Sequence, residues 1–172
     1  MVIATDDNTY AAISSHAMGF RVVLSSEEMA EISVRNDFGE AELKAVEKVF
    51  AYLAKKHYDK TIETLLRLSR LPQKAPKTFG NFDFARIQGQ DAAVLEKLSS
   101  LANLYARKNI AFIGPGGIGK THLAQAYGRA CCLSGYKTYY LKATELKEKF
   151  ERAITVGNPA KVVNSLVKPS CL

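Results

Sequence analysis

The chain has 172 residues, 47% of them hydrophobic, enough to bury a sizeable core in one domain or one domain with a small appendage. Its unbroken apolar runs are only a few residues long, which excludes a membrane-spanning helix, and the opening Met1-Val2-Ile3-Ala4-Thr5-Asp6-Asp7 lacks the basic region of a secretory signal. Cys131, Cys132 and Cys171 are odd in number and form no C-x-x-C pair, so they read as reduced, partly buried thiols of a cytoplasmic protein, while the net charge of +7 favours a polyanionic partner.

Residues 1–24 carry no clear period and read as a frayed first helix. Ser25-Ser26-Glu27-Glu28 has the form of a capping box and predicts a short helix to about Val34. Asp37-Phe38-Gly39-Glu40 repeats the device. Leu43, Val46, Phe50, Leu53 and His57 then recur at three- and four-residue steps as one apolar stripe. No Cys or second His stands at metal spacing from His57, which reads as a packing residue at the edge of that stripe. A separate helix is expected from Lys60 to about Arg70, ended by Leu71-Pro72.

Between Lys55 and Lys77 there are seven basic residues (Lys55, Lys56, Lys60, Arg67, Arg70, Lys74, Lys77) against two acidic ones, Asp59 and Glu63. With His57 and Tyr58 beside it, this is the best candidate for contact with nucleic-acid phosphates. From Pro72 to Gly89 the composition shifts to Pro, Gly, Lys and Phe, which marks a linker. The boundary is therefore drawn between a helical N-terminal region, 1–75, and a nucleotide domain, 76–172. Phe79, Phe82 and Phe84 are costly to leave in water and should pin the linker to that domain, one of them beside a nucleotide base in the sharper reading. Asp91 caps an expected helix with Leu95, Leu98, Leu101 and Leu104 on one face, closed by Lys108-Asn109.

Ile110-Ala111-Phe112-Ile113 then reads as a short buried strand, followed by Gly114-Pro115-Gly116-Gly117-Ile118-Gly119-Lys120-Thr121. That octet fits the phosphate-binding pattern G-x-x-x-x-G-K-[ST] at every fixed position. A loop that wraps a triphosphate turns its backbone N–H groups inward, which the glycines permit, and Pro115 stiffens one corner. The helix beginning near Gly119 aims its positive end at the phosphates. Lys120 reaches the β- and γ-phosphates, and the Thr121 hydroxyl ligates Mg²⁺. The competing reading is a glycine turn that binds nothing. Leu123, Tyr127, Ala130 and Cys131 continue the helix to Gly135.

Gly135 to Leu141 reads as a second strand. Thr144 is a fair N-cap for a helix through Leu146, Phe150 and Ile154. Pro159 stands at the first position of another helix, holding Val162, Val163 and Leu166, and Ser170-Cys171-Leu172 looks like the opening of a third strand. Strand alternating with helix predicts the α/β class, a parallel sheet of P-loop NTPase type preceded by a small helical region.

Gly114 to Ala124 resembles the GPPGxGKTHLA signature of IstB-like and DnaC-like AAA+ ATPases, and Lys77-Thr78-Phe79-Gly80-Asn81-Phe82-Asp83-Phe84 resembles their KTLxxFDF lead-in. The resemblance covers roughly residues 40–172. It implies an ATP- and Mg²⁺-binding protein that assembles on DNA, forms homo-oligomers, and hands on a transposase or a replicative helicase. It also adds His122 to the nucleotide-binding set.

One departure bears on activity. P-loop hydrolysis needs a strand-end carboxylate to hold Mg²⁺ and a second one to activate water. After Thr121 there is no Asp, and Glu145, Glu148 and Glu151 share one expected surface helix. By resemblance the acidic pair belongs just beyond the third strand, and the sheet takes another, missing strand between first and third. The expectation is an N-terminal fragment of such an ATPase, incomplete in its sheet, with weakened nucleotide binding and negligible hydrolysis. The alternatives are a complete, non-hydrolysing regulator acting on full-length partners, and a small P-loop kinase. The kinase is poorly served by the two arginines, Arg129 and Arg152, that follow Thr121.

Overall fold

A computed structural model describes residues 6–87 and 91–172. It falls into two compact units, Met1–Thr61 and Ile62–Leu172. The helices are α1 (Asp6–Gly19), α2 (Ser26–Arg35), α3 (Glu40–Leu68), α4 (Asp91–Glu96), α5 (Ala102–Tyr105), α6 (Lys120–Leu133), α7 (Ala143–Thr155) and α8 (Pro159–Val167).

In the first unit, α1 packs on α2 around fully buried Ile13, with Met29 and Leu43 completing the centre. Tyr10, Leu24, Phe38, Val46 and Phe50 close over them, so Leu43, Val46 and Phe50 of the stripe expected on α3 face this core, whereas Leu53 further along it is exposed. The predicted capping box on α2 is present. Ser25 Oγ accepts from Glu28 N–H at 3.1 Å, and Ser25 N–H donates to Glu28 Oε2 at 2.7 Å. Ser25→Ala removes one half of it and should cost about 1 kcal/mol, read as a lower thermal midpoint. The second expected box does not form. Asp37 takes φ 54, and the first α3 turn closes instead by Leu43 N–H on Gly39 O at 3.0 Å.

The two helices expected on either side of Asp59 are one helix of 29 residues. Nothing between Tyr58 and Thr61 breaks a helix, and Lys55 reaches Asp59 one turn on at 2.7 Å. The helix stops before the proline, as expected. Arg70 turns to φ 61, and Ser69, fully buried, donates to Leu66 O at 2.7 Å and accepts from Leu71 N–H at 3.2 Å.

The core of the second unit holds Leu98, Leu101, Tyr127 and Cys131, with Phe79, Leu95, Leu104, Ile110, Phe112 and Cys171 packed against it. The leucine stripe thus points inward as expected, but its helix is broken. A 3₁₀ turn, Lys97–Ser100, follows α4, and Leu101 takes φ 57 before α5. The Asp91 side chain and Gly89 lie outside what the structure describes. Pro159 opens α8 as the sequence suggests, with Asn158 capping it by accepting from Lys161 N–H at 3.3 Å, and α7 starts at Ala143 with Lys142, not Thr144, at its N-cap.

The expected parallel sheet is absent. Among the described residues there is no strand, and the β pairing is one isolated parallel bridge, Thr138 to Cys171. The α/β assignment is therefore corrected to a helical architecture. The reason lies in the backbone partners. A parallel strand is sustained by ladders along its edges. Ile110 to Ile113 make no backbone hydrogen bond to any described residue, and Ile113 is 93% exposed. Around the bridge, Tyr139 N–H donates to Cys171 O at 2.9 Å and Ser170 N–H to Lys137 O at 2.7 Å. The neighbouring Tyr140 N–H is taken by Ser69 O at 2.7 Å, from the turn after α3. A cleft of about 500 Å³ opens where a ladder would stand, lined by Ile110, Phe112, Tyr127, Thr138 and Cys171. The Tyr127 hydroxyl is buried without a hydrogen-bond partner among the described residues, and burial raises its pKa.

Candidate nucleotide-binding loop

The loop from Gly114 to Gly119 hangs between two anchors. Ile110 and Phe112 rest on the core before it, and α6 buries Leu123, Ala126, Tyr127, Cys131 and Cys132 after it. Gly128 lets α6 come close to its neighbours: a Cβ there would lie 3.2 Å from Thr138 Cγ2 and 3.6 Å from Leu71 Cδ1.

Within the loop, Gly117 has φ 79 and Gly119 φ 101, in a region that L side chains rarely adopt. Gly114 to Gly117 are exposed, and a Cβ at Gly116 or Gly117 would meet open space. Lys120, the first residue of α6, folds back over the loop and donates to Gly114 O at 2.8 Å and Pro115 O at 2.6 Å. Its ammonium therefore sits over the loop, where a bound anion would meet it. Thr121 is exposed, and its hydroxyl has no hydrogen-bond partner among the described residues. No cluster of three or more potential metal ligands occurs among the described residues.

His122 points the other way. Its Nε2 lies 2.9 Å from Thr78 O and 3.0 Å from Asn81 Oδ1. Both are acceptors here, since Asn81 Oδ1 already receives Thr78 N–H at 2.8 Å while Asn81 Nδ2 donates to Pro76 O at 2.9 Å. The proton therefore sits on Nε2. Phe82 packs edge-on against the His122 ring at 5.1 Å and against Phe84 at 4.8 Å. The phenylalanine-rich linker is thus pinned to the helix that carries the loop, as the sequence suggested.

The acidic residues of α7 are committed to neighbours. Glu148 pairs with Arg152 at 3.3 Å, Glu151 with Lys147 at 3.7 Å, and Glu145 with Arg70 at 3.2 Å. Arg70 also donates to the Tyr139 hydroxyl at 3.2 Å. The Lys149 ammonium beside that phenol, and then Arg70, hold Tyr139 below its ordinary pKa. Sequence spacing gave no hint of this cluster, whose members are brought together by the turns after α3 and before α7. Of the other basic candidates, Lys55 is paired with Asp59, whereas Lys56, Lys60, Arg67, Lys74 and Lys77 are exposed and make no ion pair with a described residue. Lys55, Lys56 and Lys60 fall in the first unit, and Arg67, Arg70, Lys74 and Lys77 in the second.

The cysteines are free. The Cys171 thiol beside it, together with burial, pushes Cys131 well above the ordinary thiol range, so Cys131 is a neutral packing group.

Comparison with known proteins settles the family. Residues 23–172 match the family described as IstB-like ATP binding protein. The chain belongs to that family. A Geobacillus stearothermophilus protein named as an ATP-binding protein of insertion sequence IS5376 is 39% identical over 113 residues, 66% of this chain and 44% of that protein. Its counterpart named for insertion sequence IS21 in Pseudomonas aeruginosa is 33% identical over 102 residues, 56% of this chain and 38% of its own length. A third, named for insertion sequence IS232 in Bacillus thuringiensis, is 27% identical over 126 residues, 73% and 49% of the two chains. The chain spans less than half the length of these family relatives. No helix among the described residues is long and apolar enough to cross a membrane.

Proposed function

We propose that the chain binds MgATP through Gly114–Thr121, with His122 beside that segment, and serves as an ATP-dependent helper of DNA transposition. The observation that carries this reading is the loop–helix junction. Exposed glycines free their N–H groups there, and one ammonium lies over the loop at the N-terminus of a 14-residue helix. In this reading Lys120 exchanges its two carbonyl partners for phosphate oxygens, and Thr121 offers its free hydroxyl to Mg²⁺. The partners are DNA and a transposase, with a replicative helicase the second choice, and residues 1–75 form the contact region apart from the nucleotide-binding part at 76–172. The names of the relatives, all from insertion sequences, favour the transposase. In this reading the 172 residues bind without turnover, because the three carboxylates that follow Thr121 share α7, paired with Arg70, Lys147 and Arg152, and none of them stands at a strand end to hold Mg²⁺.

Calorimetric titration of the 172-residue chain with MgATP tests the nucleotide half. Saturable binding is expected, weakened by EDTA and absent for adenosine. A flat titration would overturn the reading. The DNA half is tested by salt. Three or four phosphate contacts imply a loss of about a hundredfold in affinity between 50 and 200 mM salt. Lys56→Ala with Lys60→Ala should reduce the slope by roughly two. A slope unchanged by the pair would remove those lysines from the interface.

A further inference from the structure

The segment Thr78–Phe84 is built as a compact turn rather than a slack linker. Thr78 and Asn81 bond reciprocally, Thr78 N–H to Asn81 Oδ1 at 2.8 Å and Asn81 N–H to Thr78 Oγ1 at 3.2 Å. Asn81 also holds Pro76 O, and Phe82 N–H closes on Phe79 O at 3.3 Å. The turn is therefore shaped before it meets anything else.

It meets the phosphate loop at two points. Phe82 lies so close to Gly119 that a Cβ there would fall 2.5 Å from ring atom Cε2 and 3.2 Å from Cζ. Gly119 is the residue at which the loop becomes α6, and its φ of 101 sets the direction of the N–H groups on either side. Three residues on, His122 donates its Nε2 proton to Thr78 O and Asn81 Oδ1. The first turn of α6 is thus clasped from outside: Lys120 reaches into the loop, and His122 reaches out to the turn. The Phe82 ring is itself held between His122 and Phe84 and cannot swing away freely.

We infer that Phe82 and His122 are positioning residues for the phosphate loop. They fix Gly119 and the first turn of α6 in the conformation that receives phosphate, and neither needs to touch the nucleotide. This rests on the MgATP-binding reading above. It differs from a contact between Phe82 and a base in a way that can be measured. A base contact is lost only with ligands that have a base, whereas a loop held out of shape loses every polyphosphate.

The test is to titrate the 172-residue chain and its Phe82→Ala, Phe82→Leu, His122→Ala and His122→Gln variants with MgATP and with inorganic tripolyphosphate. Phe82→Ala and His122→Ala should each lower affinity for both ligands by the same factor, about tenfold for the loss of one well-packed contact. Phe82→Leu restores most of the packing. His122→Gln restores a side-chain N–H donor, and with it most of the affinity. Circular dichroism of each variant reports whether the helices persist. Loss of MgATP affinity with tripolyphosphate binding intact would overturn the inference in favour of a base contact. Unchanged affinity for both in folded alanine variants would overturn it outright. Failure of the unaltered chain to bind either ligand would instead overturn the MgATP reading and this one with it.

Discussion

Lys120→Ala should lower MgATP affinity by roughly a hundredfold while leaving the helices intact. The magnitude follows from what the ammonium does. A hydrogen bond to a charged partner contributes about 1.5–3 kcal/mol, and at 1.4 kcal/mol per decade the upper end is a hundredfold. The structure adds a second expected consequence. In the ligand-free chain Lys120 ties Gly114 O and Pro115 O together, so the alanine variant also loses the contacts that hold the empty loop. Amide exchange at Gly116 and Gly117 should then quicken without nucleotide present. α6 itself is held by a buried face of Leu123, Tyr127 and Cys131 that does not involve Lys120, so its exchange should stay slow. A variant that binds MgATP as tightly as the parent would mean that the loop motif is only a glycine turn.

The helices of this chain were legible in its sequence to different depths, and the differences have physical causes. Features written in adjacent residues came through: the Ser25–Glu28 capping box, the Leu43–Phe50 stripe, the proline stop after α3 and the Asn158-Pro159 start of α8. The two helices expected on either side of Asp59 are one, because nothing in the charged stretch between them breaks a helix. Leu101 was misread as helical because its inward-facing period is real, yet it reaches the core through a left-handed turn. The sheet was the largest miss. Apolar, β-branched runs such as Ile110–Ile113 state a preference, but a strand exists only with partners along its edges, and the partners are not written in the run itself.

The loop was the most legible part of the site, because G-x-x-x-x-G-K-[ST] packs its chemistry into eight consecutive positions. What surrounds it was not. The lead-in was noticed for its phenylalanines, but nothing in the spacing joins His122 to Thr78 and Asn81, more than forty residues earlier. The Arg70–Tyr139–Glu145 cluster was invisible for the same reason, and it changes how Arg70 is weighed as a phosphate ligand. A guanidinium already shared by a phenol and a carboxylate must give up those contacts to meet DNA. Lys56, Lys60, Arg67, Lys74 and Lys77 carry no such cost.

Gly119→Ala should be far more damaging than Gly117→Ala, although both replace a glycine of positive φ in one loop. At Gly117 the substitution meets open space, and the cost is the backbone strain of an L residue with φ 79, roughly 1–2 kcal/mol. That should weaken MgATP binding by about tenfold. At Gly119 the same strain recurs at φ 101, and the new methyl also lands 2.5 Å from the Phe82 ring. An exposed lysine would simply move. Phe82 is held between His122 and Phe84, so either the loop shifts or the lead-in turn comes off, and MgATP affinity should fall by a hundredfold or more. The two contributions separate in a double-mutant cycle. In a Phe82→Ala background the clash disappears but the strain remains, so Gly119→Ala should then cost about what Gly117→Ala costs, a tenfold or larger difference that corresponds to a coupling of about 1.4 kcal/mol or more. Equal costs of Gly119→Ala with and without the Phe82 ring would mean that the ring yields without resistance. Gly119 would then be required for its backbone alone.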